Sequence, residues 1–257
     1  MKYGNPPVVE VVFGLNFDFT KLSPRQMFDI SVLFSKDFPR EEVVPITLIP
    51  NIEDKSSYSK QGVLGNIEDY GFAMIRKKTK NNDWLIQFQQ NRFYFNWIRN
   101  NDLKEKSNYA GFNEAFKKFN DTINKINKSL NVELTEKVKY LELSYLDVFS
   151  FEKTSEDISG LISFSLPSVL AKDAEFTNSY SHNENRINGK CFMSMSSQNL
   201  VDKTFRNVEK KVVVNINLIG KMDSLSFDKW FTTAHDIQNE MFNKIFTNQA
   251  KEGWKYD

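Results

Sequence analysis

The chain has 257 residues, of which 40% are hydrophobic and 26% are charged, and its formal net charge is +1. This composition is typical of a globular protein with one large or two smaller domains, and it gives no strong field toward nucleic acid or an anionic membrane. The apolar runs are strand-sized, the start lacks the apolar core of a signal peptide, and Cys191 is the only cysteine. We therefore expect a cytoplasmic protein with no membrane contact and no disulfide framework.

Alternating apolar residues predict a long first strand from Val8 to Phe19. A helix is expected from Pro24 with Ser23 as its N-cap, ending at Pro39. The next predicted elements are an edge strand at Val43–Ile49, a polar loop at Asn51–Gln61 and a strand at Asp69–Lys77. We expect Glu41-Glu42 in a solvated loop and Arg76-Lys77-Lys78 in solvent at a strand end.

The clearest hairpin spans Asp83–Arg99, with a two-residue turn at Gln90-Asn91 or Asn91-Arg92. Either turn places six apolar side chains on one face as a cross-strand ladder: Trp84, Ile86, Phe88, Phe93, Phe95 and Trp97. In Asn108–Leu130, large apolar residues recur at alternating spacings of three and four. This spacing predicts an amphipathic helix whose aromatic stripe packs on the ladder.

The rest of the chain repeats this order of strands followed by a helix. The predicted strands are Lys137–Phe149, Glu175–His182, Cys191–Gln198 and Val208–Ile219, with a turn at Asn183–Gly189. The last helix is predicted at Phe227–Phe246 with Ser226 as its cap, and Ile158–Leu170 is expected to be partly helical. A charged break at Phe151–Asp157 divides the chain into residues 1–150 and 151–257. The predicted fold is α+β, with two strand-rich antiparallel halves that are each closed by a long amphipathic helix.

Residues for catalysis are few. The two histidines lie in different segments, His182 in a polar turn and His235 on the last helix, where it is expected to bond a neighbour. Cys191 lies in an apolar strand and is interpreted as a core residue. No metal-ligand spacing, nucleophile elbow or phosphate-binding glycine motif is present, so we expect no catalytic residue, metal site or cofactor.

The polar sides of the predicted strands form the candidate binding site. Amides, carboxylates and two tyrosines would share the sheet face opposite the helices: Glu10, Asp18, Gln87, Gln89, Tyr94, Asn96, Tyr140 and Glu142. This mixture suits a protein partner or a small ligand, and a solvated sheet face is the simplest alternative. Basic and aromatic residues alternate from Arg92 to Arg99, as in single-strand nucleic-acid binders, but core packing explains these aromatics better.

Four stretches resemble an uncharacterised prokaryotic family described as sporadically distributed. They are Asn5–Phe13, the R-F-x-x-N-W pattern at Arg92–Trp97, Leu141–Tyr145, and a late helix with His235 and Phe242 before Trp254. The order is the same over essentially the whole length, but Leu146-Asp147 departs from the asparagine that usually follows the tyrosine strand. The resemblance implies a cytoplasmic protein without an assigned activity. Patchy distribution is common among mobile and defence-associated genes, so it also favours a defence or toxin–antitoxin role.

Three functional hypotheses follow. The first is a non-enzymatic interaction component of a prokaryotic defence or toxin–antitoxin system, with a protein partner, a second copy of the chain, or both. The second is a small-ligand or nucleotide binder that uses the polar sheet face. The third, which is less favoured, is a metal-dependent nucleic-acid enzyme that uses carboxylates such as Asp18 and Glu142.

Overall fold

The computed structural model describes residues 7–17, 22–44, 74–99, 109–151, 163, 175–201, 207–223 and 225–252. The strands within these ranges are β1 Val8–Phe17, β2 Arg40–Val44, β3 Met74–Lys78, β4 Trp84–Gln89, β5 Arg92–Ile98, β6 Val138–Phe151, β7 Phe176–Glu184, β8 Gly189–Val201 and β9 Asn207–Gly220. The helices are α1 Pro24–Leu33, α2 Phe112–Leu130, α3 Phe227–Ile245 and α4 Asn248–Glu252. Short 3₁₀ turns lie at Leu134–Lys137 and Asn185–Ile187.

All described strands belong to one sheet in the order β2-β3-β4-β5-β1-β6-β9-β8-β7, and every neighbouring pair is antiparallel. The α+β class is thereby confirmed. β6 pairs with β9 from Leu141–Gly220 to Phe151–Lys210, so the sheet continues from the early strands into the late ones. The division at residue 150 stays a prediction, because residues 152–162 lie outside the described ranges.

The predicted aromatic hairpin is confirmed. β4 and β5 flank a turn at Gln90-Asn91, and Trp84, Ile86 and Phe88 lie opposite Trp97, Phe95 and Phe93, respectively. All six side chains are buried. Phe119 of α2 lies 6.4 Å from the Phe93 ring and 6.2 Å from the Phe95 ring, measured between centroids, so α2 packs on this ladder as expected.

The helices that cover the sheet meet around Phe13 in the central strand β1. Its ring centroid lies 5.2 Å from that of Phe119 in α2 and 5.7 Å from that of Phe231 in α3. The Phe119 and Phe231 rings themselves meet edge to face at 5.4 Å. The two long helices therefore share one aromatic core on one face of the sheet. Within the described residues, no helix combines the length and apolar character that a bilayer crossing requires.

Three helix ends can be compared with the predictions. Ser23 caps α1 in a reciprocal capping box with Gln26, as the sequence indicates. However, α1 ends at Leu33 rather than Pro39, because the following turn buries Phe38 against Phe34 instead of continuing the helix. α2 begins at Phe112 rather than Asn108, because Gly111 has a φ of +92°, which no helical residue adopts.

The third strand corrects the expectation that its basic residues lie in solvent. Lys77 faces the helix side of β3 and is only 3% exposed, and its Nζ donates to Glu41 Oε2 at 2.8 Å. Lys78 pairs with Glu42, so both acids belong to a strand ladder rather than a loop. β2 begins at Arg40, earlier than the predicted Val43. The predicted Asn51–Gln61 loop, the start of Asp69–Lys77 and almost all of Ile158–Leu170 lie outside the described residues.

Candidate functional site: the polar face of the sheet

A chain of hydrogen bonds crosses four neighbouring strands on the face opposite the helices. Arg76 Nε donates to Gln87 Oε1 at 2.7 Å, and Gln87 Nε2 donates to Asn96 Oδ1 at 3.2 Å. Asn96 Nδ2 then donates to Glu10 Oε1 at 2.6 Å. The structure therefore brings together three predicted site residues, Glu10, Gln87 and Asn96, with a basic residue at one end and an acidic residue at the other.

A second group centres on the carboxylate of Glu142 in β6. Tyr94 OH donates to Oε2 at 2.6 Å, Asn16 Nδ2 donates to the same oxygen at 3.4 Å, and Asn217 Nδ2 donates to Oε1 at 2.9 Å. These donors come from β5, β1 and β9, so one carboxylate links four strands. Three side-chain donors engage the two carboxylate oxygens, so Glu142 is well suited to holding these four strands together.

Gly14 creates the space for this second group. It lies in β1 directly between Tyr94 of β5 and Glu142 of β6. A Cβ atom on Gly14 would lie 2.7 Å from Tyr94 Cδ1 and 2.9 Å from Glu142 Cβ. Only glycine lets the Tyr94 ring lie across the central strand and reach the carboxylate two strands away.

Arg92 and Asn217 leave buried hydrogen-bonding capacity on this face. Arg92 is 3% exposed, donates from Nε to Asn16 Oδ1 at 3.1 Å, and lies with its guanidinium 5.0 Å from the centre of the Tyr94 ring. Arg92 Nη2 and Asn217 Oδ1 are buried and have no hydrogen-bond partner within the described part of the chain. The face therefore offers one cationic donor and one amide acceptor, which could bind a ligand but could not act as a nucleophile.

The other predicted site residues lie outside these two groups. Gln89 is buried and its Nε2 donates to Asn91 Oδ1 at 2.7 Å in the hairpin turn. Tyr140 is buried against Ile219 and Phe192 near one end of the face. Asp18 lies outside the described residues. The polar face is more enclosed than a solvated sheet face, since six of its polar residues are buried: Asn16, Gln87, Gln89, Arg92, Asn96 and Glu142.

A separate cluster of titratable groups lies on the helix side of the sheet. Tyr145 OH is 3.1 Å from both Tyr109 OH and His235 Nδ1, and His235 Nε2 is 3.1 Å from the side-chain amide of Asn239. The His235 ring stacks on Phe112 with a centroid distance of 4.0 Å. Burial lowers the pKa of His235 to about 4, so the imidazole is neutral near pH 7. The expectation that His235 bonds a neighbour is confirmed.

Asp147 is the residue of this cluster that the sequence analysis missed. Burial raises the pKa of its carboxyl to about 7, against the opposing charge of Arg99. Asp147 Oδ2 has no hydrogen-bond partner among the residues that the structure describes. Burial also raises the pKa of Tyr109 and of Tyr145. The sequence does contain a signal for Asp147, because it has the same strand parity as Leu143 and Tyr145 and therefore falls at a core position. An acid at a core position is costly unless it is paired.

Reactive groups and nucleic-acid contacts can be assessed within the described residues. There, no three or more side chains of the metal-binding types lie together. Cys191 is buried as predicted, and burial raises the pKa of its thiol to about 11, which opposes a nucleophilic role. Phe93, Phe95 and Trp97 are buried, so core packing accounts for these aromatics, as the sequence analysis favoured.

Comparison with known proteins gives no family assignment. Neither a scan against protein-family models nor a search of curated proteins finds a match to this chain.

Proposed function

We propose that this protein is a non-enzymatic interaction component, acting in the cytoplasm as part of a prokaryotic defence or toxin–antitoxin system. The observation that carries the proposal is the edge strand β7. Among the described strands β7 pairs with β8 alone, and its residues Ser179, Tyr180, Ser181, His182 and Asn183 are all exposed. A sheet edge of this kind presents backbone donors and acceptors to another chain.

The hydrogen bonding of the buried polar groups supports a binding role over an enzymatic one. Glu142 is held by three donors, and the neutral His235 is bonded on both ring nitrogens and stacked on Phe112. General acid–base catalysis requires a group that can reach substrate and exchange a proton near the working pH. Groups that are already fully bonded inside the fold are better suited to stability.

The proposal is tested by co-expressing the chain with the products of its neighbouring genes. We expect one neighbour to co-elute with the tagged chain in a fixed ratio through affinity and size-exclusion steps. An unrelated protein of similar size, tagged in the same way, is the control. If the tagged chain elutes without any neighbouring product at a protein concentration of about 50 µM, an interaction role in such an operon is contradicted.

A second candidate is a small-ligand or nucleotide binder. It is favoured by Arg92 Nη2 and Asn217 Oδ1, which have no partner in the described ranges. An anionic ligand that bonds this guanidinium at 100 times its Kd should stabilise the protein by about 2.7 kcal/mol, which is a rise in Tm of roughly 5–10 °C. Arg92→Met should abolish the shift. Arg76→Met is the matched control, because Arg76 is an arginine on the same face but lies in β3, two strands away from Arg92 in β5.

The chain organisation is also part of the proposal. We propose two halves, residues 1–150 and 151–257, with α2 closing the first half and α3 closing the second. The contacts of α2 with Phe93 and Phe95, and of α3 with Ile187 through Trp230 Nε1 at 3.2 Å, support this assignment. Protease cleavage within residues 152–162 should leave two fragments that stay together, because β6 pairs with β9 along its length. Separation of the two fragments without denaturant would contradict this organisation, in which one sheet joins the two halves.

A further inference from the structure

The two ends of the sheet are protected to different degrees. β2 has only five residues and carries the charged sequence Arg40-Glu41-Glu42, with both acids engaged by lysines of β3. β7 has nine residues, and its register with β8 runs from Phe176 to Glu184 without a shift. Short length, charges, prolines and bulges are the usual means of blocking edge pairing, and β7 has none of them between Thr177 and Asn183.

The sequence of β7 is nearly symmetrical about Tyr180. Ser179 and Ser181 are identical neighbours, Asn178 and His182 follow on each side, and then come Thr177 and Asn183. None of these residues is Asp, Glu, Lys or Arg. If two copies of the strand pair antiparallel about Tyr180, the two Tyr180 residues face each other, and every other residue from 177 to 183 lies opposite a small or polar residue without a charge clash.

We infer that β7 is a self-association edge, at which a second copy of this chain pairs antiparallel across a two-fold axis at Tyr180. This inference deepens the proposed function by naming the partner at this edge as another copy of the chain. Tyr180 is 53% exposed and lies on the helix side of the sheet, since it is paired with Met193 and Met193 with Ile216. In the dimer the two Tyr180 rings become a cross-strand aromatic pair, and one sheet runs through both copies.

Light scattering coupled to size-exclusion chromatography of the purified full chain tests the inference. We expect a dimer at about 50 µM, and Tyr180→Lys should weaken the dimer by roughly tenfold or more, because two like charges then face each other at the axis. Phe28→Lys is the matched control: Phe28 is 57% exposed on α1, outside the β7 edge, and should leave the dimer unchanged. A monomeric wild type, or a Tyr180→Lys variant that dimerises as well as wild type, overturns the inference.

Cysteine cross-linking tests the register independently. Residues directly opposite in an antiparallel pair have Cα atoms about 4.5–5.5 Å apart, which suits a disulfide, so Tyr180→Cys should form a covalent dimer under mild oxidation. Thr177→Cys is the control, because its two copies would lie six residues out of register, roughly 20 Å apart. Cys191 can stay in place because it is buried. Cross-linking at residue 177 but not 180 refutes the two-fold pairing.

The two proposals fail in different ways. If the chain does not self-associate but forms a stable complex with a neighbouring gene product, the β7 dimer is refuted and the interaction role stays intact. A dimer of the purified chain without any neighbouring partner supports the β7 pairing and refutes the wider role.

Discussion

Replacing Gly14 with alanine is the sharpest perturbation of the polar face. The new Cβ would lie 2.7 Å from Tyr94 Cδ1 and 2.9 Å from Glu142 Cβ, both well inside normal contact distance. The Tyr94 ring must therefore move and give up its 2.6 Å hydrogen bond to Glu142. The change removes a side-chain anchor that links β5 to β6 across the central strand.

The magnitude can be built from three contributions. Overpacking costs about 1–3 kcal/mol, and loss of a hydrogen bond to a charged group costs about 1.5–3 kcal/mol. Reduced flexibility of the unfolded chain returns about 0.5–1 kcal/mol when glycine becomes alanine. We therefore expect Gly14→Ala to lower the free energy of unfolding by about 2–5 kcal/mol, measured by urea denaturation with tryptophan fluorescence.

A double-mutant cycle tests the cause of this loss. In a Tyr94→Ala background the clash with the ring is absent, so Gly14→Ala should cost at least about 1 kcal/mol less than in wild type. Gly111→Ala is the control, because Gly111 has a φ of +92° but no atom of the described residues crowds its Cβ position within 4 Å. Its cost of about 1–3 kcal/mol should not depend on Tyr94. Additive costs for Gly14→Ala and Tyr94→Ala would refute the reasoning.

Further predictions concern buried titratable groups. The pKa of Asp147 is raised to about 7 in the fold, so its contribution to stability falls as pH rises from about 4 to 7, and Asp147→Asn should remove that fall. The pKa of His235 is lowered to about 4, so its contribution falls as pH drops from about 6.5 to 4, and His235→Gln should remove that loss. The two groups give opposing slopes of unfolding free energy against pH, each up to about 1.4 kcal/mol per pH unit. Urea denaturation of each single variant at several pH values should show one slope without the other. Unchanged pH profiles would contradict these two assignments. Glu142→Gln should destabilise by about 1–3 kcal/mol, because an amide NH₂ would then face a donor. Glu10→Gln should cost less, because among the described residues only Asn96 donates a side-chain hydrogen bond to Glu10. Equal costs for the two variants would argue against Glu142 as the centre of the group.

The local structure of this protein is largely predictable from its sequence. The hairpin ladder, the Ser23 capping box and the Ser226 cap of α3 all follow from short-range spacing and side-chain chemistry. The prediction of α2 was less accurate at its start, because the apolar spacing includes Tyr109. That residue packs on Trp97 with a centroid distance of 4.9 Å, although it lies outside the helix.

The order of the strands was not predictable in the same way. β1 lies between β5 and β6, and β6 lies beside β9, pairings that join residues far apart in sequence. Such pairings are determined by packing of the whole sheet, for which a single sequence carries no local signal. His182 shows a smaller error of the same origin. It was expected in a polar turn, but it lies in β7, which continues to Glu184 because it pairs with β8 up to Gly189.

The sequence predicts which residues share the polar face, but not how deeply they are buried or which hydrogen bonds they form. Strand parity placed Glu10, Gln87, Tyr94, Asn96 and Glu142 on one face, and the structure connects them in two groups of hydrogen bonds. Their burial and the role of Gly14 depend on registers across four strands. Those registers determine which side chains touch, and they can be seen only in three dimensions.

Hydrogen exchange of β7 as a function of protein concentration tests the central claim most directly. If β7 is a self-association edge, amides between Thr177 and Asn183 should become more slowly exchanging as the concentration rises from about 1 to 100 µM, because new backbone hydrogen bonds form there. The amides of β2, at the opposite edge, should exchange at the same rate throughout. Exchange in β7 that is independent of concentration would contradict the claim.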